Sequence, residues 1–167
     1  MWVGVKEYVL LNATSTPVKC SPSSRPNISW LMSRMEELEI PVAYSNGLEE
    51  LYFTKLKGDH GEYQAGKIRI ACDAKTEGIM DKVFIHELAH HVDDQEDVTS
   101  NDRLIYEKKY CAKYMIDVYA RRNIYEYFAV GFEVYYLGAP AERKKMRRYN
   151  PHLYRTITKL HRQFSRK

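Results

Sequence analysis

The chain changes its hydrophobic period part of the way along. Between residues 67 and 72, apolar side chains alternate with the polar side chains of Lys67 and Arg69, which is the two-residue period of a β-strand. Gly66, directly before this segment, is typical of tight turns, so we expect a hairpin over residues 62–72. Weaker patterns predict further strands at residues 3–11, 42–45 and 51–57. This part of the chain therefore predicts a small β-sheet.

From about residue 76 onward, apolar residues recur at three- and four-residue steps, the period of an amphipathic helix. The pattern predicts helices at residues 77–94, 101–115 and 124–137, followed by two basic helices that Asn150 and Pro151 separate. An earlier helix is predicted by an apolar stripe that begins at Ile28 and stops before Pro41, after a Pro- and Ser-rich surface loop at residues 14–27. Strands followed by helices are typical of an α+β fold.

The size and composition fit one globular domain. A chain of 167 residues with 44% hydrophobic and 29% charged residues is close to ordinary globular usage, which excludes collagen-like and disordered classes. We expect a single domain over residues 1–167, with an N-terminal α/β part at about 1–95 and a helical part at about 96–167. No stretch approaches the roughly 18 apolar residues that a membrane span needs.

The first residues and the cysteines bear on the compartment. The opening segment, MWVGVKEYVLLNATSTP, has an apolar run shorter than the roughly 7–15 residues of a secretory signal. We therefore expect no signal peptide, which favours a cytoplasmic protein and is compatible with a mature secreted form. Cys20, Cys72 and Cys111 form no CxxC pair, which argues against a disulfide framework and against a cysteine-ligated metal. We expect three reduced, packed thiols.

Charge is unevenly distributed along the chain. The net charge is +4, but the segment from Pro140 onward has ten basic residues and one acid, Glu142, while the rest of the chain is acidic. A basic end can attract nucleic acid or an acidic partner. Because a basic, solvated helix face is a common feature, this charge alone does not predict nucleic-acid binding, and we expect a peptide or protein partner.

Residues 86–90, HELAH, match the HExxH pattern within the predicted helix 77–94. Four residues apart on a helix, His86 and His90 differ by about 40° around the axis, so both imidazoles can reach one tetrahedral zinc ion. Glu87 lies about 100° from His86, which suits a general base that takes a proton from a zinc-activated water without binding the metal. His91 is directed away from this pair, and we expect a surface or packed residue.

The third ligand of such a site must come from elsewhere, because a catalytic zinc ion usually has three protein ligands and one open position. The metzincin continuation of the motif is absent, since Asp93 and Glu96 stand where it requires glycine and histidine. Glu126 and Glu133 are both candidates, two turns apart on one face of the predicted helix 124–137. Their spacing alone does not choose between them.

Two segments, HELAHHVDD (residues 86–94) and YARRNIYEYFAVGF (residues 119–132), resemble the catalytic domain of anthrax toxin lethal factor and the related clostridial Pro-Pro endopeptidases. With the basic end, the resemblance covers about a third of the chain. It implies a zincin-like fold with a small mixed sheet and one zinc ion per chain, held by His86, His90 and Glu126. It also implies that Glu87 is the general base and that Tyr119, seven residues before the ligand glutamate, faces the metal.

Two features of this match depend on the fold. If the helix began early, the seven-residue step would put Tyr119 and Glu126 on one side, where a phenol can donate a hydrogen bond to an oxyanion. Many zincins of this type have a second acid one turn after the ligand glutamate, but Val130 occupies that position. Asp93 or Glu133 could orient the metal-binding histidines instead.

The leading hypothesis is a zinc metalloendopeptidase in which Glu87 serves as base and Tyr119 stabilises the oxyanion. The strand at residues 67–72 could bind an extended peptide substrate by adding it to the edge of the sheet. The alternative is a zinc-containing, non-catalytic binding module whose basic C-terminal helices contact an acidic protein or nucleic acid.

Overall fold

The computed structural model describes residues 7–10, 17–20, 25–58, 60–75, 78–115 and 117–166. The chain forms two compact units, of which the first ends at His91 and the second begins at Val92. The first unit contains a β-sheet, and the second is helical. The α+β fold class predicted from the sequence is therefore confirmed, with a mixed sheet, a helix that bears HExxH and a helical second half.

Five strands of the first unit form one mixed sheet in the order β1-β2-β3-β5-β4. Their bounds are β1 Glu7–Leu10, β2 Pro17–Cys20, β3 Glu50–Thr54, β4 Gly61–Gln64 and β5 Lys67–Ala71. β3 and β5 are parallel, and β4 and β5 form an antiparallel hairpin whose turn residues, Ala65 and Gly66, both have positive φ. Turns of that kind match the twist of paired strands. The predicted hairpin is confirmed.

Two helices complete the first unit, α1 (Arg25–Glu37) and α2 (Met80–Glu96), the second of which continues past His91. The apolar stripe that predicted α1 is its buried face, made of Ile28, Leu31 and Met35. The apolar side chains of α2 are likewise buried, and they are Phe84, Ile85, Leu88 and Val92. Because one face of α2 is buried in this way, the helix is held in place, and its other side chains project from a fixed backbone.

The second unit consists of α3 (Asp102–Cys111), α4 (Ile124–Leu137), α5 (Pro140–Tyr149) and α6 (Pro151–Phe164). α4 is buried without interruption from Tyr127 to Glu133. A Cβ atom at Gly131 would lie only 2.5 Å from Leu153 Cδ2, so α4 and α6 approach closely at this glycine. The predicted stripe of α6 is buried as expected, at Leu153, Ile157, Leu160 and Phe164.

A buried carboxylate of α3 holds the first turn of α6. Glu107 accepts hydrogen bonds from the backbone N–H groups of His152 (2.6 Å) and Leu153 (2.9 Å), and from the hydroxyl of Tyr127 (3.0 Å). Asn150, directly before α6, instead donates from its amide to the Tyr127 hydroxyl at 2.8 Å. Burial, and secondly the charge of Glu107, raise the pKa of Tyr127, so its hydroxyl remains a donor. This network ties α3, α4 and α6 together.

Three predictions of local structure are wrong. Residues 42–45 form a 3₁₀ turn rather than a strand, because the Ser45 hydroxyl donates to the Val42 carbonyl and closes the backbone locally. The predicted loop at residues 14–27 contains β2 and the start of α1, since pairing with β1 overrides its turn-like composition. The predicted helix 101–115 ends at Cys111 and continues as a 3₁₀ turn, Ala112–Tyr114.

Other expectations are confirmed only in part. Of the predicted strand at residues 3–11, the segment Glu7–Leu10 lies within the described residues and is a strand. Cys72 is exposed and Cys111 is half-buried, so the thiol of Cys72 is free but not packed. Across the described residues, no helix combines the length and the apolar character that crossing a membrane requires.

Candidate metal centre

Helix α2 brings the two motif histidines together. The Nε2 atoms of His86 and His90 lie 3.2 Å apart, and their rings are inclined at 76°. Two nitrogens bound at 2.0–2.1 Å to one tetrahedral zinc ion are separated by about 3.3 Å. Both side chains are half-buried. The pair therefore already has the separation that a shared zinc ion requires, as the spacing of the motif predicted.

His91 points to the other side of α2, as expected for a packed residue. Its side chain is fully buried, and its Nε2 atom lies 2.9 Å from the carbonyl oxygen of Asn46. Because a carbonyl oxygen only accepts, Nε2 must carry the proton in this contact. The Tyr63 ring of β4 packs edge-on against the His91 ring. His91 thus connects α2 to the hairpin and is not available as a metal ligand.

Glu87, the predicted general base, is only 7% exposed and lies against the edge strand β4. A Cβ atom at Gly61, the first residue of β4, would be 2.6 Å from the Glu87 carboxylate oxygen Oε1 and 2.6 Å from Val83 Cγ1. The strand backbone can approach the carboxylate this closely because position 61 has no side chain. Gly61 was not among the predicted site residues, although an isolated glycine in a strand pattern is typical of such a close approach.

Glu126 is the third candidate ligand. It lies in the first turn of α4, where the Asn123 side chain caps the helix by accepting a hydrogen bond from the backbone N–H of Glu126 at 2.8 Å. A carboxylate is favoured at this end of a helix by the exposed N–H groups. His86, His90 and Glu126 each offer one ligand atom, and these atoms all lie within 4.8 Å of one another. This group could hold a metal ion.

The two other acids considered in the sequence have different positions. Glu133 is 7% exposed within α4, and among the described residues it is not part of the metal-binding group. Asp93 accepts two hydrogen bonds from Thr99, one from the backbone N–H and one from the hydroxyl, both at 2.8 Å. Burial raises the pKa of Asp93, although the Thr99 bonds oppose this shift. Asp93 therefore fixes the turn that follows α2.

Tyr119 and Glu126 lie in two different elements. Tyr119 is in a separate 3₁₀ turn, Val118–Arg121, whose backbone Asp117 caps by accepting from the Tyr119 N–H. The helix starts at Ile124, as predicted, so the early start that would put both residues on one side of a helix does not occur. The guanidinium of Arg122 lies 3.7 Å from the centre of the Tyr119 ring. This stacking orients the exposed ring, and the proximity of Tyr119 to a metal stays a prediction.

The edge of the sheet is formed by a different strand from the one predicted. β5, residues Lys67–Ala71, pairs with β3 on one side and β4 on the other, so the expectation that it offers a free edge is wrong. β4 is the terminal strand. The carbonyl of His60 accepts a hydrogen bond from the Ala71 N–H, so the backbone of His60 faces β5. Glu62 and Gln64 follow at two-residue steps and therefore also direct their backbone polar groups towards β5. The alternate residue Gly61 therefore directs its backbone polar groups away from β5.

One family model matches this chain. It is described as anthrax toxin lethal factor, N- and C-terminal domain, and it matches residues 45–160. The matched segment includes the hairpin, the HELAH helix and Glu126, and it is well over half of the chain. No curated protein matches the chain.

Proposed function

Because the chain belongs to the anthrax toxin lethal factor family, which is related to zinc metalloproteases, we propose that it is a zinc metalloendopeptidase. The observation that supports this is the group of His86, His90 and Glu126, with Glu87 next to the two histidines in α2. Two imidazoles and one carboxylate are a donor set typical of catalytic zinc, which leaves one position open.

The residues present suit zinc better than calcium or magnesium. Those harder cations prefer six or more oxygen ligands, whereas two of the three donors here are imidazole nitrogens. Zinc bound to this set would polarise the scissile carbonyl and lower the pKa of a bound water towards neutrality. The buried face of α2 holds the two histidine donors in place, and their Nε2 atoms already lie 3.2 Å apart.

Glu87 would act as the general base. It accepts the proton of the attacking water and delivers it to the nitrogen of the leaving amine, which conserves charge over the cycle. Its burial, and its contact with the backbone of β4, limit the positions that the carboxylate can take. Tyr119, oriented by Arg122, would donate a hydrogen bond to the oxyanion that forms at the substrate carbonyl.

The substrate would be an extended peptide bound along β4. Among the described strands, none pairs with the outer side of β4, and a peptide that adds to that side gains main-chain hydrogen bonds whatever its sequence. Gly61 is next to Glu87, so a peptide bond opposite Gly61 would lie beside the base. Specificity would then come from side chains at alternate positions.

The direct test measures zinc and proteolysis separately. We expect about one zinc per chain by elemental analysis, and cleavage of a diverse peptide pool that mass spectrometry detects. Glu87→Gln should keep its zinc and lose about 10²–10⁴-fold in kcat, whereas Glu96→Gln, at the exposed end of the same helix, should behave as wild type. A Glu87→Gln variant as fast as wild type would exclude the assigned base.

The ligand assignment has its own matched pair. Glu126→Gln should abolish stoichiometric zinc binding, and Glu133→Gln should retain it, because only the first residue belongs to the metal-binding group. The reverse result would transfer the ligand role to Glu133. A zinc-loaded wild-type chain that cleaves no peptide in the pool would instead support the non-catalytic binding module.

A further inference from the structure

The largest concentration of exposed aromatic side chains in the described residues lies along α3 and the 3₁₀ turn that follows it. Tyr106 is 66% and Tyr110 is 50% exposed, and Ile105 and Tyr114 are exposed as well. Single exposed apolar residues are ordinary, but a contiguous group of them usually marks an interaction surface. Tyrosine is also among the residues enriched in protein interfaces.

Four tyrosine rings form two pairs, and Lys or Arg side chains lie over them. The rings of Tyr106 and Tyr110 are 4.7 Å apart, and Tyr114 stacks on Tyr149 of α5 at 4.6 Å. Each pair has basic groups over its rings: Lys109 over Tyr110, Lys113 over Tyr114 and Arg148 over Tyr149. We call this set of seven residues the tyrosine–cation face.

No exposed acid lies among the described residues 105–114, which carry the rings and cations of α3 and the following turn. Within residues 105–114 the sole acid is Glu107, which is buried and occupied by His152, Leu153 and Tyr127. Glu142, which lies near Tyr114, uses its carboxylate to accept from the Ala139 N–H at 2.7 Å. The charge of the face therefore points outward to a negatively charged partner.

The arrangement of the rings distinguishes between two classes of acidic partner. Single-stranded nucleic acid binds by stacking its bases on open aromatic faces. Here Tyr114 and Tyr149 already stack on each other, with ring planes within 20°, and ammonium groups lie over the rings of Tyr110 and Tyr114. The ammonium groups beside the rings can pair with the carboxylates of a protein segment, and the exposed rings of Tyr106 and Tyr110 can pack against its apolar side chains.

We propose that the tyrosine–cation face binds an acidic segment of a protein. The residues of this face are different from those that would carry out hydrolysis. If the bound protein is also the substrate, that part of the inference rests on the proposed peptidase function. The binding of an acidic segment does not depend on it. Rim charges of this kind mainly affect the association rate and the salt dependence of binding.

The test uses the full chain with the Glu87→Gln substitution, so that no probe is cut. The probe is a fluorescein-labelled peptide, EELEEFEELEEF, and its counterpart has glutamine at every glutamate. Fluorescence anisotropy should show binding of the acidic peptide only, weakened at least about tenfold between 50 and 300 mM salt. A dodecathymidylate probe should bind more weakly than the acidic peptide.

Charge-reversal variants locate the site. Lys109→Glu/Lys113→Glu should weaken binding about tenfold or more, whereas Lys159→Glu/Arg162→Glu, which makes the same change of net charge at exposed positions of α6, should weaken it less than threefold. Equal loss in both variants would show that only net charge matters and would overturn the proposal. So would tighter binding of the oligonucleotide, or no binding of the acidic peptide at 50 mM salt. Cleavage of the peptide pool by the wild type would still uphold the peptidase function in each of those cases.

Discussion

Replacing Gly61 with alanine tests whether the close approach of β4 positions the base. The added Cβ would be 2.6 Å from Glu87 Oε1 and 2.6 Å from Val83 Cγ1, against the 3.4 Å at which ordinary contact begins. The carboxylate is the end of a flexible side chain, whereas Val83 is β-branched and restricted in a helix. Glu87 must therefore move by about 0.8 Å or more.

A displacement of about 1 Å of a reacting group can cost about 10²-fold in rate. We therefore expect Gly61→Ala to lower kcat about 10- to 100-fold, with KM within about threefold of the wild-type value and zinc content unchanged. Overpacking should also cost about 1–3 kcal/mol of stability, partly offset by the gain of about 0.4–1 kcal/mol from a less flexible unfolded chain.

A second substitution separates these two effects. In the Gly61→Ala background, Val83→Ala removes one of the two contacts but leaves the one with Glu87. The double variant should regain stability in urea unfolding without regaining kcat. The assay is steady-state hydrolysis of a peptide identified from the pool, with Glu96→Gln as the variant that should not respond. If Gly61→Ala keeps kcat within twofold of wild type while Glu87→Gln has lost it, the positioning argument is refuted.

Three further predictions concern stability. Glu107→Gln can satisfy only one of the two N–H groups of His152 and Leu153, so we expect a loss of about 1–3 kcal/mol, measured by urea unfolding at unchanged m. The folded-state pKa of Asp93 is raised from 3.8, so its contribution is greatest at low pH and is lost as the pH rises through the folded-state pKa. Asp93→Asn, which still accepts from the Thr99 N–H and can donate to the Thr99 hydroxyl, should gain stability relative to wild type as the pH rises above 3.8, and a constant difference would contradict this. Chelation of the metal should lower stability by about 2.7 kcal/mol if free zinc had been at 100 times its dissociation constant, and adding zinc back should restore it.

Local sequence was sufficient for helices α1, α4 and α6 and for two of the three candidate metal ligands. The apolar period along α1, α4 and α6 follows from burying one face of a helix, which depends on residues three and four apart. The separation of His86 and His90 is likewise a property of one helix, and the structure reproduces it at 3.2 Å between the Nε2 atoms. Local patterns did not settle every segment, because the turn at residues 42–45, which the Ser45 hydroxyl closes onto the Val42 carbonyl, was predicted as a strand.

Tertiary structure decided what depends on residues far apart in the chain. The choice of Glu126 over Glu133 for the metal-binding group, and the pairing of β5 on both sides, require knowledge of which elements meet. The close approach of Gly61 to Glu87 arises in the same way, since a strand and a helix distant in sequence are packed together. The period of a segment specifies which face it buries, but the partner that covers that face is set by the whole fold.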